Sequence, residues 1–316
     1  MSHLQLALKP AQLRLINQID RHGQLQIAAE ALAMTQPAAS RMLAEVERQV
    51  GAALFTRGPK GMEPTETGLL FLRRARVILR EMDSIATDIR DLRQGYAGSI
   101  RVGAVTGPAI SYLVAAVRQV KQETPEAQIS IDVMPSRDLL NHLIAGEMDF
   151  VLGRILPEYD SKSFNILPMH DEKVTLIARA GHPLARASVV TLTEMVAYEW
   201  VLQQRGSPIR EATLAAFAGV GLAEPRNIIN SPSMLLTIAY LSQSDAIAAV
   251  SNEVAQLLIR PPISASFTVL KTAQHMRVPP YYLLSLVRHP LSPLAQRLRE
   301  ELAHMSRSPD LDLMPR

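Results

Sequence analysis

The sequence predicts an α/β protein in three parts: a small N-terminal module built mostly of helices, one long helix, and a larger C-terminal domain. Three observations predict this arrangement. Residues 1–65 show three helical patterns followed by a short hairpin pattern. A pattern of apolar residues at helical spacing then runs without proline to residue 94. Beyond residue 98, strand and helix patterns alternate, which is typical of a mostly parallel sheet.

The composition narrows the class of protein. A chain of 316 residues that is 47% hydrophobic is long enough for two or three globular units. It contains no Cys, which excludes disulfides and thiolate chemistry and predicts a cytoplasmic location. No signal-peptide pattern occurs at Met1–Lys9 and no apolar run is long enough to span a bilayer, so we expect no membrane partner.

The charge is unevenly distributed. Residues 1–94 carry 13 of the 33 Lys and Arg residues but only 10 of the 30 Asp and Glu residues, so the formal excess of +3 is N-terminal. A small basic excess is compatible with nucleic-acid binding and indicates which part of the chain would bind.

The N-terminal module has the layout of a helix-turn-helix. A first helix ends at Gly23, and a second, short helix runs from Gln24 to about Ala33. Thr35 is expected to cap a third helix that tolerates Pro37 in its first turn and ends near Val50. Small polar and basic residues at the start of a second helix of this kind are placed to enter a DNA major groove.

A short hairpin follows the third helix. Residues 53–57 and 62–65 predict two strands around a Gly-Pro-Lys-Gly turn, with Lys60 at the tip and Arg57 at the base. Such a wing is placed to contact phosphates beside the groove. The alternative is an ordinary three-helix bundle whose polar residues only face water, and the wing weighs against it.

Thr65 is expected to cap a long helix, residues 66–94. Its apolar residues are spaced alternately four and three apart, as in a coiled coil. We therefore predict a dimerisation helix whose contact stripe comprises Phe71, Ala75, Ile78, Met82, Ile85, Ile89 and Leu92. The alternative is that this stripe packs on the body of its own chain.

Four segments of the module resemble the signature of LysR-type transcriptional regulators: Ala28–Arg41, Glu47 with Gly51, Leu54–Arg57 and Thr65–Gly68. Val46, where Leu is usual, and the run Pro64–Gly68 depart from it in ways compatible with the same packing. The chain is also similar to the subgroup that contains the galactose-binding-protein regulator and regulators of aromatic-acid catabolism.

The resemblance implies a DNA-binding surface made of the third helix and the wing. The residues predicted to contact double-stranded DNA are Thr35, Gln36, Pro37, Ala38, Ser40, Arg41, Arg57 and Lys60. Their chemistry agrees with this role, since Arg bonds guanine bidentately, Gln pairs with adenine, and a small Ala fits against a thymine methyl.

The remainder, residues 95–306, is predicted to be an effector-binding domain, with residues 307–316 as a mobile tail. Its two α/β series predict two subdomains, one of about residues 99–158 and 280–306 and the other of about 164–268. The resemblance implies a type II periplasmic-binding-protein-like domain with ligand in the cleft between them. Open α/β sheets also bind ligands beyond the carboxyl ends of their strands.

Polar residues at those strand ends are the candidate effector contacts. They are Thr106, Ser136, Arg154, Gln203, Gln204, Arg205, Ser207, Ser231 and Ser251. For the Ser and Thr residues, helix capping is the alternative role. A buried Arg154 needs a partner, either a ligand carboxylate or an internal Asp or Glu. Amides and hydroxyls suit a sugar and arginines suit an organic or aromatic acid, so both effector classes stay open.

The sequence thus predicts a LysR-type regulator that binds a promoter inverted repeat as a dimer or a tetramer, a dimer of dimers, and responds to a small organic effector. RNA polymerase is an expected partner, and no cofactor or metal is expected. No serine-hydrolase elbow, phosphate-binding loop or His-Glu-x-x-His motif occurs, so we do not expect an enzyme. The alternatives are an effector-independent regulator and a small-molecule-binding protein without a DNA role.

Overall fold

The computed structural model describes residues 6–58, 61–94 and 98–307, without the side chains of residues 80, 83, 84 and 86–94. The chain forms two compact units, residues 1–98 with 144–147, and residues 99–143 with 148–316. Apart from Arg307, which ends the last helix, the predicted tail lies outside the described residues.

The described residues of the N-terminal unit form four helices and a hairpin. The elements are α1 (Pro10–His22), α2 (Leu25–Ala31), α3 (Gln36–Val50), β1 (Phe55–Gly58), β2 (Gly61–Pro64) and α4 (Glu66–Gln94). Strands β1 and β2 pair antiparallel with Phe55 opposite Pro64. These elements are the ones the sequence predicts, with boundaries that differ by at most a few residues.

A single apolar core holds the first three helices together. Ile16, Ile19 and Val46 are fully buried in it, as are the small residues Ala28 and Ala39, which let neighbouring helices approach closely. The hairpin is attached to the turn after α1, where the Met62 amide donates to the Gly23 carbonyl over 2.7 Å.

In the described part of the C-terminal unit, the first sheet has five strands in the order β4-β3-β5-β13-β6. Its strands are β3 (Ser99–Ala104), β4 (Gln128–Val133), β5 (Phe150–Gly153), β6 (Phe164–Pro168) and β13 (Tyr282–Leu286). Strands β3, β4 and β5 run parallel, whereas β13 is antiparallel to both of its neighbours.

Helices accompany this sheet. They are α5 (Thr106–Pro108), which continues through a π-helical turn (Ala109–Leu113) into α6 (Val114–Glu123), then α7 (Ser136–Ile144) and α12 (Pro293–Arg307). A π-helical turn widens one turn of an α-helix and often marks a functional segment.

The second sheet has the order β11-β7-β10-β8-β9, and β12 also pairs with β7. Its strands are β7 (Glu172–Arg179), β8 (Trp200–Leu202), β9 (Ile228–Asn230), β10 (Ile247–Ser251), β11 (Phe267–Val269) and β12 (Arg277–Val278). The helices of this subdomain are α8 (Leu192–Met195), α9 (Pro208–Gly219), α10 (Met234–Leu241) and α11 (Asn252–Ile259). The single Trp, Trp200, is fully buried against Phe217.

The subdomain boundary differs from the prediction of 164–268 for the second subdomain. Strand β6 belongs to the first sheet, where it pairs with β13, and the second sheet extends to β12 at residues 277–278. The reason is that β6 is placed by a partner more than a hundred residues away, which its own short sequence pattern does not reveal.

Candidate functional site

The start of α3 presents the predicted DNA-contact residues on one surface. Thr35, Gln36, Pro37, Ser40 and Arg41 are exposed, and Ala38 is half-buried. The opposite face of the same helix is buried in the core through Ala39, Leu43 and Val46. This division into one packed and one free face agrees with the arrangement that the sequence predicts.

Thr35 departs from its predicted capping role. It occupies the N-cap position of α3, but its hydroxyl makes no capping hydrogen bond. The exposed hydroxyl is therefore not used to cap the helix, although the Thr35 carbonyl accepts from the Ala39 amide over 3.0 Å.

The wing lies next to this surface. Gln36 of α3 and Arg57 of β1 line the same shallow groove, with a volume of about 260 Å³. The groove also includes the Gly23–Gln26 segment and the start of β2. Arg57 is exposed, and Lys60 lies outside the described residues.

Two side chains hold α3, the wing and α4 together. Glu47 Oε1 accepts hydrogen bonds from the amides of Leu54, over 2.7 Å, and Phe55, over 3.4 Å. Thr65 caps α4 as predicted, accepting from the Gly68 amide over 2.9 Å and donating to the Ala53 carbonyl over 2.7 Å. The sequence motif includes Glu47 without indicating its role, and these contacts show that it positions the start of the wing.

The apolar stripe of α4 divides into two parts. Ala75 is buried with Leu13 of α1 and Leu79, and Phe71 is half-buried against the same cluster. Ile78, Met82 and Ile85 are 46%, 39% and 57% exposed. The side chains of Ile89 and Leu92 lie outside the described residues. Among the five stripe residues whose side chains the structure describes, the alternative of packing on the same chain therefore applies to Phe71 and Ala75.

In the C-terminal unit, the carboxyl edges of the two sheets meet. Parallel strands β3, β4 and β5 lead to Thr106, Ser136 and Arg154, all at one edge. In the second sheet, β8, β9 and β10 are parallel and lead to further candidate contacts. A Cβ placed on Gly107 of α5 would lie 2.5 Å from Glu172 Oε1 and 3.5 Å from Glu253 Oε2. We call this region the junction.

Arg154 has an internal partner at the junction. Its side chain is 8% exposed, Nη2 pairs with Glu172 Oε2, and Nε donates to the Pro279 carbonyl over 2.9 Å. Of the two alternatives that the sequence left open, the structure shows the internal carboxylate. Ser136 also has a partner, because its Oγ accepts from the Arg154 amide over 3.0 Å.

Glu253 and two tyrosines also lie at the junction, and the sequence did not single them out. Burial raises the pKa of Glu253, and the charge of Glu172 adds to this effect. Burial also raises the pKa of Tyr112 and of Tyr281, whose ring centroids are 6.4 Å apart. Glu253 Oε2 is buried without a hydrogen-bond partner among the described residues. The sequence feature that could have indicated Glu253 is its position, two residues after the predicted contact Ser251.

The predicted contacts of the second subdomain have different environments. Gln204 and Arg205 are exposed, and Thr106 across the junction is half-buried. Ser251 caps α11 by accepting from the Val254 amide over 3.4 Å, and buried Ser231 accepts from the Ser233 amide over 3.1 Å. For Ser251 the capping alternative is therefore realised.

Ser207 and Gln203 hydrogen-bond to each other through their side chains, and Ser207 makes no capping bond to α9. One turn further along α9 lies Arg210, which is 4% exposed and was not among the predicted contacts. Its Nη1 donates to the Gln203 carbonyl over 3.0 Å and to Asn230 Oδ1. The sequence feature that could have indicated Arg210 is its position, three residues after the predicted contact Ser207.

Comparison with known proteins identifies the class. Residues 10–69 match the profile of bacterial regulatory helix-turn-helix proteins of the lysR family, and residues 93–307 match the LysR substrate binding domain. The chain therefore belongs to the LysR family of DNA-binding transcriptional regulators. This confirms the predicted fold class and the prediction that the chain is not an enzyme.

Two relatives are the HTH-type transcriptional regulators GbpR of Rhizobium radiobacter and of Azospirillum brasilense. The first is 40% identical over 248 residues, which cover 78% of this chain and 82% of the relative. The second is 32% identical over 294 residues, which cover 93% of this chain and 85% of the relative.

The solved structures with the same fold include full-length regulators. CbnR in complex with its target DNA has a TM-score of 0.63 at 22% identity and covers 94% of this chain and 99% of its own. A full-length OxyR variant from Pseudomonas aeruginosa has a TM-score of 0.61 at 19% identity, with 96% of each chain covered. In the part of this chain that the structure describes, no helix is long and apolar enough to cross a membrane.

Proposed function

We propose that this protein regulates transcription by reading a promoter inverted repeat with α3 and the wing, in response to a small organic effector bound between the two subdomains. The observation that carries the DNA-binding part is the exposed start of α3. Its polar and basic residues are free while the opposite face is buried, and Gln36 shares a groove with Arg57.

The side chains have distinct roles in this proposal. Arg41 and Gln36 read base edges, because Arg pairs bidentately with guanine and Gln with adenine. Thr35, Ser40, Arg57 and Lys60 contact phosphates and fix the orientation of the helix. Pro37 and Ala38 shape the helix start so that the backbone approaches the groove closely.

Dimerisation gives the protein a two-fold symmetry that matches the two halves of an inverted repeat. The exposed part of the α4 stripe, Ile78, Met82 and Ile85, contacts the same stripe of a second copy. A two-fold dimer then reads two half-sites related by the same symmetry. Two such dimers form the homotetramer, which contacts RNA polymerase in the cytoplasm.

The effector binds at the junction. Strand ends and helix starts of both subdomains meet there, which is where open α/β sheets bind ligands. The regulatory domain of CcmR from Synechocystis PCC6803, which has the same fold with a TM-score of 0.55, has been solved in complex with 2-PG. That protein's ligand is consistent with a small-molecule site in this fold.

The DNA-binding proposal is tested by selection from random duplex DNA at moderate salt. Three proteins are compared: wild type, the double variant Ser40→Ala with Arg41→Ala, and Arg48→Ala. Arg48 is the matched control, because it lies on α3 but pairs with Glu45 at 2.6 Å. Wild type and the control should enrich one interrupted inverted repeat that the double variant does not, since each lost base contact costs about 1–3 kcal/mol.

Enrichment of the same repeat by the double variant would show that α3 does not read the bases. The absence of any enriched sequence with wild type, at every salt concentration used, would contradict the DNA-binding proposal itself.

A further inference from the structure

Arg210 is a buried cation with only neutral partners. Its side chain is 4% exposed, and its two hydrogen-bond acceptors are the Gln203 carbonyl and the amide oxygen of Asn230. No Asp or Glu of the described residues pairs with it. Arg154, the other arginine buried to this degree in the described part of the chain, has Glu172 as its partner. A buried charge without a counter-charge is costly, which points to a charge partner from outside the chain.

The free nitrogens of Arg210 have the right geometry for such a partner. Both of its hydrogen bonds use Nη1, which leaves Nε and Nη2 without an acceptor among the described residues. Neither nitrogen is among the wholly buried polar atoms that lack a partner there, which are Gln18 Oε1 and Glu253 Oε2, so both keep at least a small accessible surface. These two nitrogens form one side of the planar guanidinium and can bind two oxygens of one oxyanion in parallel.

Arg210 lies at the edge of the second sheet that faces the junction. Its Nη1 is fixed at the carboxyl ends of β8 and β9, through Gln203 and Asn230 respectively. Strand β8 runs parallel to β10, whose carboxyl end leads to Glu253. Neighbouring strand ends therefore bring a free guanidinium edge and an unpartnered carboxyl oxygen to the same edge of the second sheet.

We propose that Arg210 binds the anionic group of the effector, a carboxylate or phosphate, and that the effector is a small hydroxylated acid, not a neutral sugar. This inference rests on the proposed effector site at the junction. Arg210 holds the oxyanion through Nε and Nη2, and Glu253 Oε2 accepts or donates a hydrogen bond with a hydroxyl of the same ligand. Arg154 is not the anion-binding group, because Glu172 already neutralises it.

The test uses simple oxyanions first. Thermal unfolding of the full chain is followed in acetate or inorganic phosphate and in chloride at equal ionic strength, for wild type, Arg210→Gln and Arg210→Lys. Arg226→Gln is the matched control, because Arg226 is an exposed arginine just before β9, at the end of that strand opposite to its carboxyl edge. A ligand that binds only the folded state raises the unfolding midpoint, by about 3 °C at roughly ten times its Kd.

We expect acetate or phosphate to raise the midpoint of wild type and of Arg226→Gln but not of Arg210→Gln, with a smaller rise for Arg210→Lys. A second series compares glucuronate with glucose and gluconate with glucitol. The acid of at least one pair should bind wild type about tenfold or more tightly than Arg210→Gln, because a hydrogen-bonded charge is lost.

Equal midpoints in the oxyanions and in chloride for wild type, or an equal rise in Arg210→Gln, would overturn the inference. Stabilisation by a neutral sugar but not by its acid would overturn it too, while supporting an effector site. Binding of the selected inverted repeat is measured on the same preparations. If Arg210→Gln still binds the repeat, the variant is folded. If wild type does not bind it, the result counts against the proposed function and not against the anion site.

Discussion

Arg154 and Glu172 form a buried ion pair that ties the two subdomains together. Arg154 directly follows β5 of the first sheet, and Glu172 begins β7 of the second, directly after the chain crosses between them. The same guanidinium donates to the carbonyl of Pro279, where the chain crosses back. One side chain of the first subdomain therefore contacts both crossover segments.

Breaking this pair should destabilise the chain strongly. Arg154→Met leaves Glu172 buried without a counter-charge, and we expect the free energy of unfolding in urea to fall by about 3–5 kcal/mol. The double variant Arg154→Met with Glu172→Leu should lose less unfolding free energy than Arg154→Met alone, because no unpaired buried charge remains.

Arg179→Met is the control for this prediction. Its partner Asp245 lies 2.6 Å away, but both side chains are more than a third exposed, so its loss should cost less than about 1 kcal/mol. Equal losses of unfolding free energy for Arg154→Met and Arg179→Met would show that the buried ion pair stabilises the chain no more than the exposed one does.

Gly68 is predicted to resist substitution although it lies in a helix. A Cβ at this position in α4 would overlap with the Leu54 carbonyl oxygen. We expect Gly68→Ala to destabilise the N-terminal unit by about 2 kcal/mol, despite the better helix propensity of Ala. Gly219→Ala at the end of α9 meets nothing within 4 Å and should be neutral or stabilising, as measured by thermal unfolding.

Glu253 should make the stability of the chain depend on pH. Burial raises the pKa of its carboxyl in the folded chain above the ordinary value of 4.5. The folded chain then holds this proton more tightly than the unfolded chain does. The stabilising contribution is complete below pH 4.5 and is lost as the pH rises through the raised pKa.

The variant Glu253→Gln has no carboxyl group at this position, so it does not lose this stability as the pH rises. Relative to wild type, its free energy of unfolding should increase as the pH rises above 4.5. Urea unfolding across a pH series measures this difference. A flat difference between Glu253→Gln and wild type across the series would refute the prediction.

The exposed part of the α4 stripe should hold the oligomer together. Met82→Glu combined with Ile85→Glu places charges on the apolar surface predicted to meet a second copy. We expect the mass measured by analytical ultracentrifugation to fall by at least half at the same protein concentration. Val189→Glu, at another exposed apolar residue, should leave the mass unchanged. An unchanged mass for the α4 variant would place the contact elsewhere.

The sequence predicted the N-terminal unit closely because its elements depend on local signals. Gly23 and Gly51 end their helices in the left-handed conformation, and Thr65 caps α4 through its own side chain. The free and buried faces of α3 follow from the helical spacing of Ala39, Leu43 and Val46. Thr35 shows the limit of such reasoning, because a favourable residue at an N-cap position does not have to make the capping bond.

The C-terminal unit was harder to predict because its arrangement depends on distant partners. Strands β6, β11 and β12 are short, and their places in the sheets are set by β13 and β7. The partner of Arg154 lies 18 residues further along the chain, in another subdomain. The role of Arg210 follows from what surrounds it and not from its spacing, so no sequence pattern distinguished it from the exposed Arg205.

The position of β13 has a consequence for how the protein is made. This strand lies between β5 and β6 in the first sheet, yet it leaves the ribosome after the other four strands of that sheet. The second subdomain can assemble while synthesis continues, but the first sheet lacks the strand between β5 and β6 until residues 282–286 emerge. Nascent chains that stall before this point would expose the apolar edges of β5 and β6, and they are the species that chaperones would have to protect.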